Sequence, residues 1–530
     1  MRSGVSDVPC GEKAKPWILT ATILASSMAF IDSTVVNVAL PAIQDRFQAT
    51  VVGMQWVVES YGLFLGALIL VGGSLGDLFG RRVVFVTGVV IFAVGSAACG
   101  FASNIHLLII ARSFQGVGAA LLVPGSLAII STSFDESSRG RAIGTWSSFT
   151  AITTAVGPVL GGWLVEHASW RWAFFINLPI ATSVMAISLW RIPESRSPTA
   201  GSIDWIGALL ATLGLGGLVY GFVESVNLGW TSRLVISTLI VGFGSLIAFV
   251  LVEARIISPM APLALFRSRT FSGANLLTFL LYAAVGVFFF LFPLNLIQVQ
   301  GYSPMAAGIA LFPLVLLMFF LSRWAGGLVD RYGARGPLIL GPLIAASGFA
   351  LFALPSTGES YWKSFFPALV ILGLGMTVTV APLTTVVMNS VKEDFVGTAS
   401  GMNNAMARVA GVLAIAVLGI VTVKAFGSRL DRSLAGLSLP SYILHELQAN
   451  EIKLAGLQLP SGLDPITTVA ITEYVREAFV YGFRIVMLIC SGLSLLGAAV
   501  AWLMVSQNPD RPGWSREPDR WRSGNGLSES

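Results

Sequence analysis

Long apolar segments separated by short polar loops dominate this chain of 530 residues. Only 11% of its residues are charged, whereas a soluble domain carries about 25%. A helix needs about 20 consecutive apolar residues to cross a hydrocarbon layer roughly 30 Å thick. The pattern therefore excludes a water-soluble domain and predicts an all-α integral membrane protein. We predict fourteen transmembrane helices, at Trp17–Leu40, Met54–Gly73, Val83–Phe101, His106–Ser131, Gly140–Val165, Trp170–Arg191, Ile203–Val223, Leu234–Val252, Phe271–Val299, Met305–Val329, Pro337–Leu354, Trp362–Asn389, Gly397–Lys424 and Phe479–Met504.

The positions of lysine and arginine predict how these helices are oriented. Short cytoplasmic loops of membrane proteins are enriched in both residues. The two termini and the loops on their side carry about twice as many of them as the opposite loops. We therefore predict that both termini are cytoplasmic and that the protein lies in the cell membrane. The net charge of +5 follows from this topology and does not indicate nucleic-acid binding.

A short motif occurs once in each half of the chain. Residues 72–82 contain Asp77 and Gly80, and residues 326–335 contain Asp330 and Gly333 at the corresponding places. Both copies lie between long apolar segments. Internal repeats of this kind, arranged around a central site, are typical of secondary transporters. The chain is therefore predicted to form two related helical bundles.

The repeat predicts the domain boundaries. Residues 1–200 are expected to form an N-terminal six-helix bundle, and residues 261–530 a C-terminal six-helix bundle. Two extra transmembrane helices are expected between them, in residues 201–260. Residues 425–478 are predicted to form an outer loop, far longer than the usual helix connection of two to eight residues. This loop is interpreted as a partly helical, solvated cap, or alternatively as a flap that shapes the outer exit or meets a periplasmic or cell-envelope partner.

Three ionisable side chains are predicted inside the membrane in the N-terminal half: Asp32, Glu59 and Arg112. Such groups are costly there and usually functional. At 1.5 Å of rise per residue, all three lie roughly 8–12 Å below the outer surface on neighbouring helices. We expect them to compensate one another and to bind and release a proton. A purely structural ion pair is the alternative.

Other embedded polar groups are candidates for contact with a transported molecule. Ser33 and Asn37 lie one turn apart and share a face of the first helix. In the C-terminal half, Arg323 and Arg408 are expected to pair with the loop or with backbone groups. A run of four phenylalanines could offer stacking surfaces, although most of them are expected to face lipid or protein. The candidate substrate-binding residues are Asn37, Asn295, Asn403 and Asn404, and the phenylalanines are Phe288, Phe289, Phe290 and Phe292.

The fifth predicted helix contains Gly157, Pro158, Gly161 and Gly162. Glycines four residues apart allow another helix backbone to approach closely, and proline kinks a helix. A kinked helix with a small-residue face, placed where two bundles meet, suits a seal that opens and closes.

Together these segments resemble the major facilitator superfamily, specifically its fourteen-span drug:proton antiporter branch of multidrug exporters. The resemblance covers about Trp17 to Met504, and it implies a gating loop at each repeat, a proton-coupling motif around Arg112 and an antiporter motif at Gly157–Gly162. Two positions depart from the family pattern, Leu78 in the gating loop and Thr153 in the antiporter motif. The gating residues that the resemblance implies are Gly73, Asp77, Gly80, Arg81, Asp330 and Arg331.

Several classes of function are excluded or disfavoured. None of the six lysines follows a glycine, so the phosphate-binding loop of ATPases is absent from the sequence. The histidines and the three cysteines are scattered, so neither a metal site nor an enzyme active site is expected. We predict a proton-coupled exporter of lipophilic drugs or toxic compounds, including cationic ones, that works by alternating access, with the proton gradient as its energy source and no cofactor. The alternatives are export of a lipid or endogenous metabolite, uptake of a metabolite, and a membrane sensor that transports nothing.

Overall fold

The computed structural model describes residues 13–196, 204–256, 259–391, 395–437, 439–459 and 463–507. Within these residues the chain is helical and contains no β-strand. The helices are α1 (Lys15–Phe47), α2 (Val51–Phe79), α3 (Arg81–Phe101), α4 (Ile105–Ser133), α5 (Glu136–His167), α6 (Trp172–Phe175), α7 (Asn177–Arg191), α8 (Trp205–Leu228), α9 (Arg233–Glu253), α10 (Arg269–Leu294), α11 (Pro304–Ala310), α12 (Phe312–Gly326), α13 (Leu328–Tyr332), α14 (Arg335–Leu351), α15 (Tyr361–Asn389), α16 (Val396–Leu434), α17 (Ser441–Ala449) and α18 (Pro465–Met504).

Among the described residues, twelve helical segments are long and apolar enough to cross a membrane. Helices α5 and α14 overlap the two remaining predicted segments, Gly140–Val165 and Pro337–Leu354. The prediction of an all-helical membrane protein is therefore confirmed. The count of fourteen spans and the cytoplasmic placement of both termini stay predictions.

The stretch 425–478, expected to be a long loop, is largely helical. Helix α16 continues to Leu434, and α18 already begins at Pro465. Between them lie α17 and a short 3₁₀ helix, Glu451–Gly456. Polar residues interrupt the apolar ones in this stretch, so the sequence shows no long apolar segment there. We call the end of the molecule where this stretch lies the outer end, and the opposite end, where the first and last described residues lie, the inner end.

Glycines bring the helices of each half into close contact. A Cβ added at Gly118 of α4 would lie 2.8 Å from the carbonyl oxygen of Gly88 on α3. A Cβ added at Gly375 of α15 would likewise lie 2.8 Å from the carbonyl oxygen of Gly341 on α14. These two contacts occupy corresponding positions of the sequence repeat. The repeat therefore preserves a backbone contact that only glycine permits.

The two halves meet along two pairs of helices. Helix α5 packs against α11, and α2 packs against α16. Of the additional pair, α9 packs on α8, and α8 contacts both α2 and α16. The boundary between the halves, which we call the inter-bundle boundary, therefore runs along α2, α5, α11 and α16.

The glycine contact in the N-terminal half can be tested with Gly118→Val. The added side chain would collide with the backbone of Phe92, so the variant should lose about 1–3 kcal/mol of stability, as overpacked cores do. Its melting temperature in detergent should fall. Gly244→Val is the matched control, because a Cβ at Gly244 meets nothing within 4 Å. Equal melting temperatures for the two variants would contradict this account of α3–α4 packing.

Candidate functional site

A buried ion pair lies inside the N-terminal half. Arg112 Nη1 on α4 lies 2.5 Å from Asp32 Oδ2 on α1, and both side chains are essentially inaccessible to solvent. The other carboxylate oxygen, Asp32 Oδ1, accepts hydrogen bonds from Gln115 Nε2 at 2.7 Å and from Asn177 Nδ2 at 3.2 Å. Three donors thus surround the charged carboxylate. A buried charge requires hydrogen-bond partners of this kind.

The guanidinium of Arg112 is equally well placed. Its Nε donates to the Val57 carbonyl oxygen at 3.0 Å, and its Nη1 also donates to Gln115 Oε1 at 2.7 Å. The ring of Tyr61 lies against it, 4.3 Å from the guanidinium carbon. Ser96 Oγ accepts hydrogen bonds from both amides of the network. The pair is therefore held by residues of α1, α2, α3, α4 and α7.

Sequence reasoning did not identify Gln115 and Asn177 as members of this network. A signal was available, because both are amides within predicted membrane segments. Gln115 lies one turn after Arg112 and so shares its face of α4. Asn177 lies in the segment that follows Trp170–Trp172, where the chain enters α7. A polar amide in a span implies a polar partner, although the sequence alone does not say which one.

Glu59 lies elsewhere. Its carboxyl group is fully buried, and neither oxygen has a hydrogen-bond partner in the described part of the chain. Its neighbours on the same face of α2 contact α16: Gln55 Nε2 donates to the Ile415 carbonyl oxygen at 2.9 Å, and a Cβ at Gly62 would lie 2.8 Å from Val412. Glu59 therefore lies at the inter-bundle boundary. The expected trio divides into a pair, Asp32 with Arg112, and a separate carboxyl group.

At the outer end, hydrogen bonds connect the two halves. Gln298 Nε2 donates to Gln44 Oε1 at 2.7 Å, and Gln44 Nε2 donates to the Lys453 carbonyl oxygen at 2.9 Å. The backbone amide of Met305, at the start of α11, donates to Glu166 Oε2 at 3.2 Å. A cavity of about 240 Å³ lies beside Gln44, Gln298 and Lys453. The outer end is closed by these contacts.

The glycines of α5 contribute to this closure. Gly161 lies against Val35 of α1, where an added Cβ would approach the Val35 Cα to 3.0 Å. Gly157 lies against Thr34 in the same way. Gly162 faces the backbone of Pro304 on α11, and the carbonyl of Pro158 faces Gly308 of the same helix. The segment predicted to act as a seal thus lies at the inter-bundle boundary.

At the inner end, the first repeat loop is held by its own charges. Arg81 Nη2 lies 2.7 Å from Asp77 Oδ1. Gly80 has a φ of +119°, a conformation that favours glycine, and the carboxylate of Glu194 accepts hydrogen bonds from the backbone amides of Arg82 and Val83. Gly73 lies near Pro124, at 3.9 Å from an added Cβ. In the second loop Arg331 is exposed, and the Asp330 side chain lies outside the described part of the structure.

A second inner contact joins the start of α1 to the loop before α5. Lys15 Nζ lies 2.7 Å from Asp135 Oδ2. The hydrogen bond from Lys15 lowers the pKa of the Asp135 carboxyl. This favours the charged form of the carboxyl, and with it the ion pair, at neutral pH.

The four candidate asparagines have different surroundings. Asn403 Nδ2 donates to Asn275 Oδ1 at 3.1 Å and to Thr278 Oγ1 at 2.7 Å, so it connects α16 to α10. Asn404 is exposed, and Asn37 is half-buried with an unpartnered Oδ1. Asn295 is buried at the outer end of α10, also with an unpartnered Oδ1. The structure does not bring the four together.

The phenylalanine run belongs mainly to the core of the C-terminal half. The rings of Phe288 and Phe292 stack at 4.9 Å between centroids, and Phe352 packs on both. Phe290 is also buried, whereas Phe289 is half-buried. Their packing against one another agrees with the expectation that most of them face lipid or protein.

Comparison with known proteins now identifies the class of protein. The family model "Major Facilitator Superfamily" matches residues 22–415. The chain is 32% identical over 516 residues to the "Tetracenomycin C resistance and export protein" of Streptomyces glaucescens, covering 96% of this chain and 95% of that one. It is 33% identical over 498 residues to "Multidrug resistance protein Stp" of Mycobacterium tuberculosis, covering 91% of each.

The fold of this class is also found among solved structures. A bacterial homologue of the human lysosomal transporter Spinster, in an inward-facing and unoccupied conformation, aligns with a TM-score of 0.64 at 18% identity, covering 94% of this chain and 99% of that one. The chain belongs to the major facilitator superfamily. It is a multi-pass membrane transporter of the cell membrane rather than an enzyme, and its relatives include antibiotic and multidrug resistance exporters.

The buried ion pair predicts a large loss of stability in Asp32→Asn. The substitution leaves Arg112 buried without its counter-charge, which typically costs about 3–5 kcal/mol. Thermal unfolding in detergent should show this loss, and Arg112→Gln should behave similarly. The double variant should be less unstable than the sum of the two single variants, because it leaves no unpaired charge. Additive losses would contradict the pairing.

The closed outer end predicts the effect of Gly162→Val. The new side chain would collide with the backbone of Pro304 and Met305, so the outer ends of α5 and α11 should move apart. Spin labels at the exposed positions His167 and Ile309, in a chain without native cysteines, would report the distance. A longer distance is expected for Gly162→Val but not for the control Trp163→Val, because Trp163 is 47% exposed. Unchanged distances in both would contradict this role for Gly162.

Proposed function

We propose that the protein is a proton-coupled antiporter that exports lipophilic small molecules by alternating access, with both termini in the cytoplasm. The observation that carries the proposal is the unpartnered, fully buried carboxyl group of Glu59 at the inter-bundle boundary. The printed descriptions of the relatives, as tetracenomycin C and multidrug resistance proteins, support small-molecule export. Members of the superfamily generally use ion gradients and no cofactor.

Glu59 is suited to carry the proton because its surroundings depend on the conformation. While the outer end is closed, the Glu59 carboxyl group is enclosed between α2 and α16 without a hydrogen-bond partner. A negative charge there would be costly. When the outer ends separate, the same carboxyl group faces water. Closure of the outer end therefore requires that Glu59 first takes up a proton from outside. The proton then leaves toward the cytoplasm when the transported molecule binds.

Asp32 has a different role in this proposal. Its carboxylate is paired with Arg112 and receives hydrogen bonds from two amides, all within the N-terminal half. Movement of the two halves relative to each other does not expose it. We propose that this pair stays charged and keeps α1, α4 and α7 together, so that the N-terminal half moves as a unit.

The two ends provide the gates. At the outer end, Gly162 and Glu166 of α5 contact α11 and separate when the transporter faces outward. At the inner end, the Asp77–Arg81 pair orders the first repeat loop, which we propose closes the cytoplasmic side. The additional helix α8 borders both halves and α9 packs on it, and we propose that this pair shields the inter-bundle boundary from lipid.

The energy is sufficient for accumulation against a gradient. One charge that crosses 100 mV releases about 2.3 kcal/mol. Each pH unit across the membrane adds about 1.4 kcal/mol. A single proton per cycle therefore supports export against a concentration ratio on the order of several hundred-fold, since each 1.4 kcal/mol is a factor of ten.

The test of this proposal is Glu59→Gln in proteoliposomes. An inward proton gradient should accelerate export of a lipophilic dye at least tenfold in the wild type. Glu59→Gln should retain downhill dye flux but lose this acceleration, because its amide cannot change protonation state. Glu477→Gln, which alters an exposed ion pair, serves as the control and should behave like the wild type. Full gradient-driven export by Glu59→Gln would refute the assignment.

A further inference from the structure

A second unpaired charge lies on the inter-bundle boundary. Arg408 of α16 is half-buried, and among the described residues no side chain forms an ion pair or hydrogen bond with it. The sequence had suggested a pairing partner in the loop or backbone, and this expectation is wrong within the described structure. The guanidinium lies instead over the ring of Phe30, with 5.5 Å between the guanidinium carbon and the ring centroid. An arginine left without a counter-charge in a membrane protein implies an anionic partner that comes and goes.

The position of Arg408 is central rather than peripheral. Its Cβ would lie 3.4 Å from a Cβ at Gly66, seven residues inward of Glu59 on α2. Seven residues of helix span roughly 10 Å. The Cβ of Arg408 thus lies about two helical turns inward of Glu59.

The surroundings define the chemistry of a ligand. Phe30, Ser33 and Asn37 recur at helical spacing on the face of α1 that Arg408 approaches, and Asn37 Oδ1 is unpartnered. The nearby Arg112 is already neutralised by Asp32, so Arg408 gives this region an uncompensated positive charge. A guanidinium can stack on two aromatic rings at once, so Phe30 and a planar aromatic ligand can share it.

We infer that Arg408 and Phe30 form a binding subsite for planar aromatic anions, so that the exported molecules are lipophilic organic acids rather than cations. This inference rests on the proposed antiport and names its substrate class. It replaces the cationic compounds expected from the sequence. It also has an electrical consequence: a proton that enters and an anion that leaves move charge in the same direction. Export of the anion is therefore driven by membrane potential even without a pH gradient.

The experiment compares two dyes that differ by one sulfonate, 8-anilinonaphthalene-1-sulfonate and the neutral N-phenyl-1-naphthylamine, with the cation ethidium as a third probe. Binding is measured on protein in nanodiscs against empty nanodiscs. Wild type should bind the sulfonate more tightly than ethidium. Arg408→Gln should weaken sulfonate binding at least tenfold while the neutral dye stays within twofold, which also shows that the variant is folded. Arg408→Lys should fall between wild type and Arg408→Gln.

The inference would be overturned if Arg408→Gln lost binding of the sulfonate and of the neutral dye equally. Tighter binding of ethidium than of the sulfonate by the wild type would also overturn it. If Arg408→Gln does not fold, the wild-type preference still decides the question. Proteoliposomes with an imposed potential and no pH gradient give a second readout, in which sulfonate export should accelerate and ethidium export should not. If no dye responds to a proton gradient, the proposed antiport fails, and the binding comparison alone still decides the role of Arg408.

Discussion

The ion pair between Asp32 and Arg112 is the interaction on which the N-terminal half depends. Two opposite charges removed from water are tolerated only when their remaining donors and acceptors are satisfied. Gln115 and Asn177 supply that satisfaction for the carboxylate, and the Val57 carbonyl supplies it for the guanidinium. Five helices are thereby fixed around one point. This arrangement makes the half a unit that can move without exposing its own charges.

At the inter-bundle boundary, by contrast, ionisable side chains lie without a counter-charge. Among the described residues, Glu59 has no hydrogen-bond partner and Arg408 has no counter-charge, only the nearby ring of Phe30. The N-terminal half pairs its buried charges internally, whereas two ionisable groups at the boundary are left unpaired. We interpret the paired groups as structural and the unpaired groups as functional. The unsatisfied groups lie where α2 and α16 meet, and in the proposed cycle water, proton and cargo pass there as the halves rearrange. Alternating access and charge recognition therefore share one surface.

The all-helical membrane fold could be predicted from the sequence, because a bilayer requires long apolar helices. The orientation predicted from the charge asymmetry and the two bundles predicted from the repeat stay predictions. The site was predictable only in part. Depth in the membrane placed Asp32, Glu59 and Arg112 at one level, but depth does not give the direction in which a side chain points. The sequence therefore could not show that Glu59 lies apart from the Asp32–Arg112 pair. Gate contacts such as Glu166 with the amide of Met305 depend on packing between distant segments, which no local pattern encodes.

The central claim is that Glu59 exchanges a proton for the cargo. The most direct measurement is the number of protons released when 8-anilinonaphthalene-1-sulfonate is added to purified protein in weakly buffered solution, followed with a pH-sensitive dye. Wild type should release about one proton per molecule, since each cycle exchanges one carboxyl proton, and Glu59→Gln that still binds the sulfonate should release none. Equal proton release from both proteins would contradict the claim.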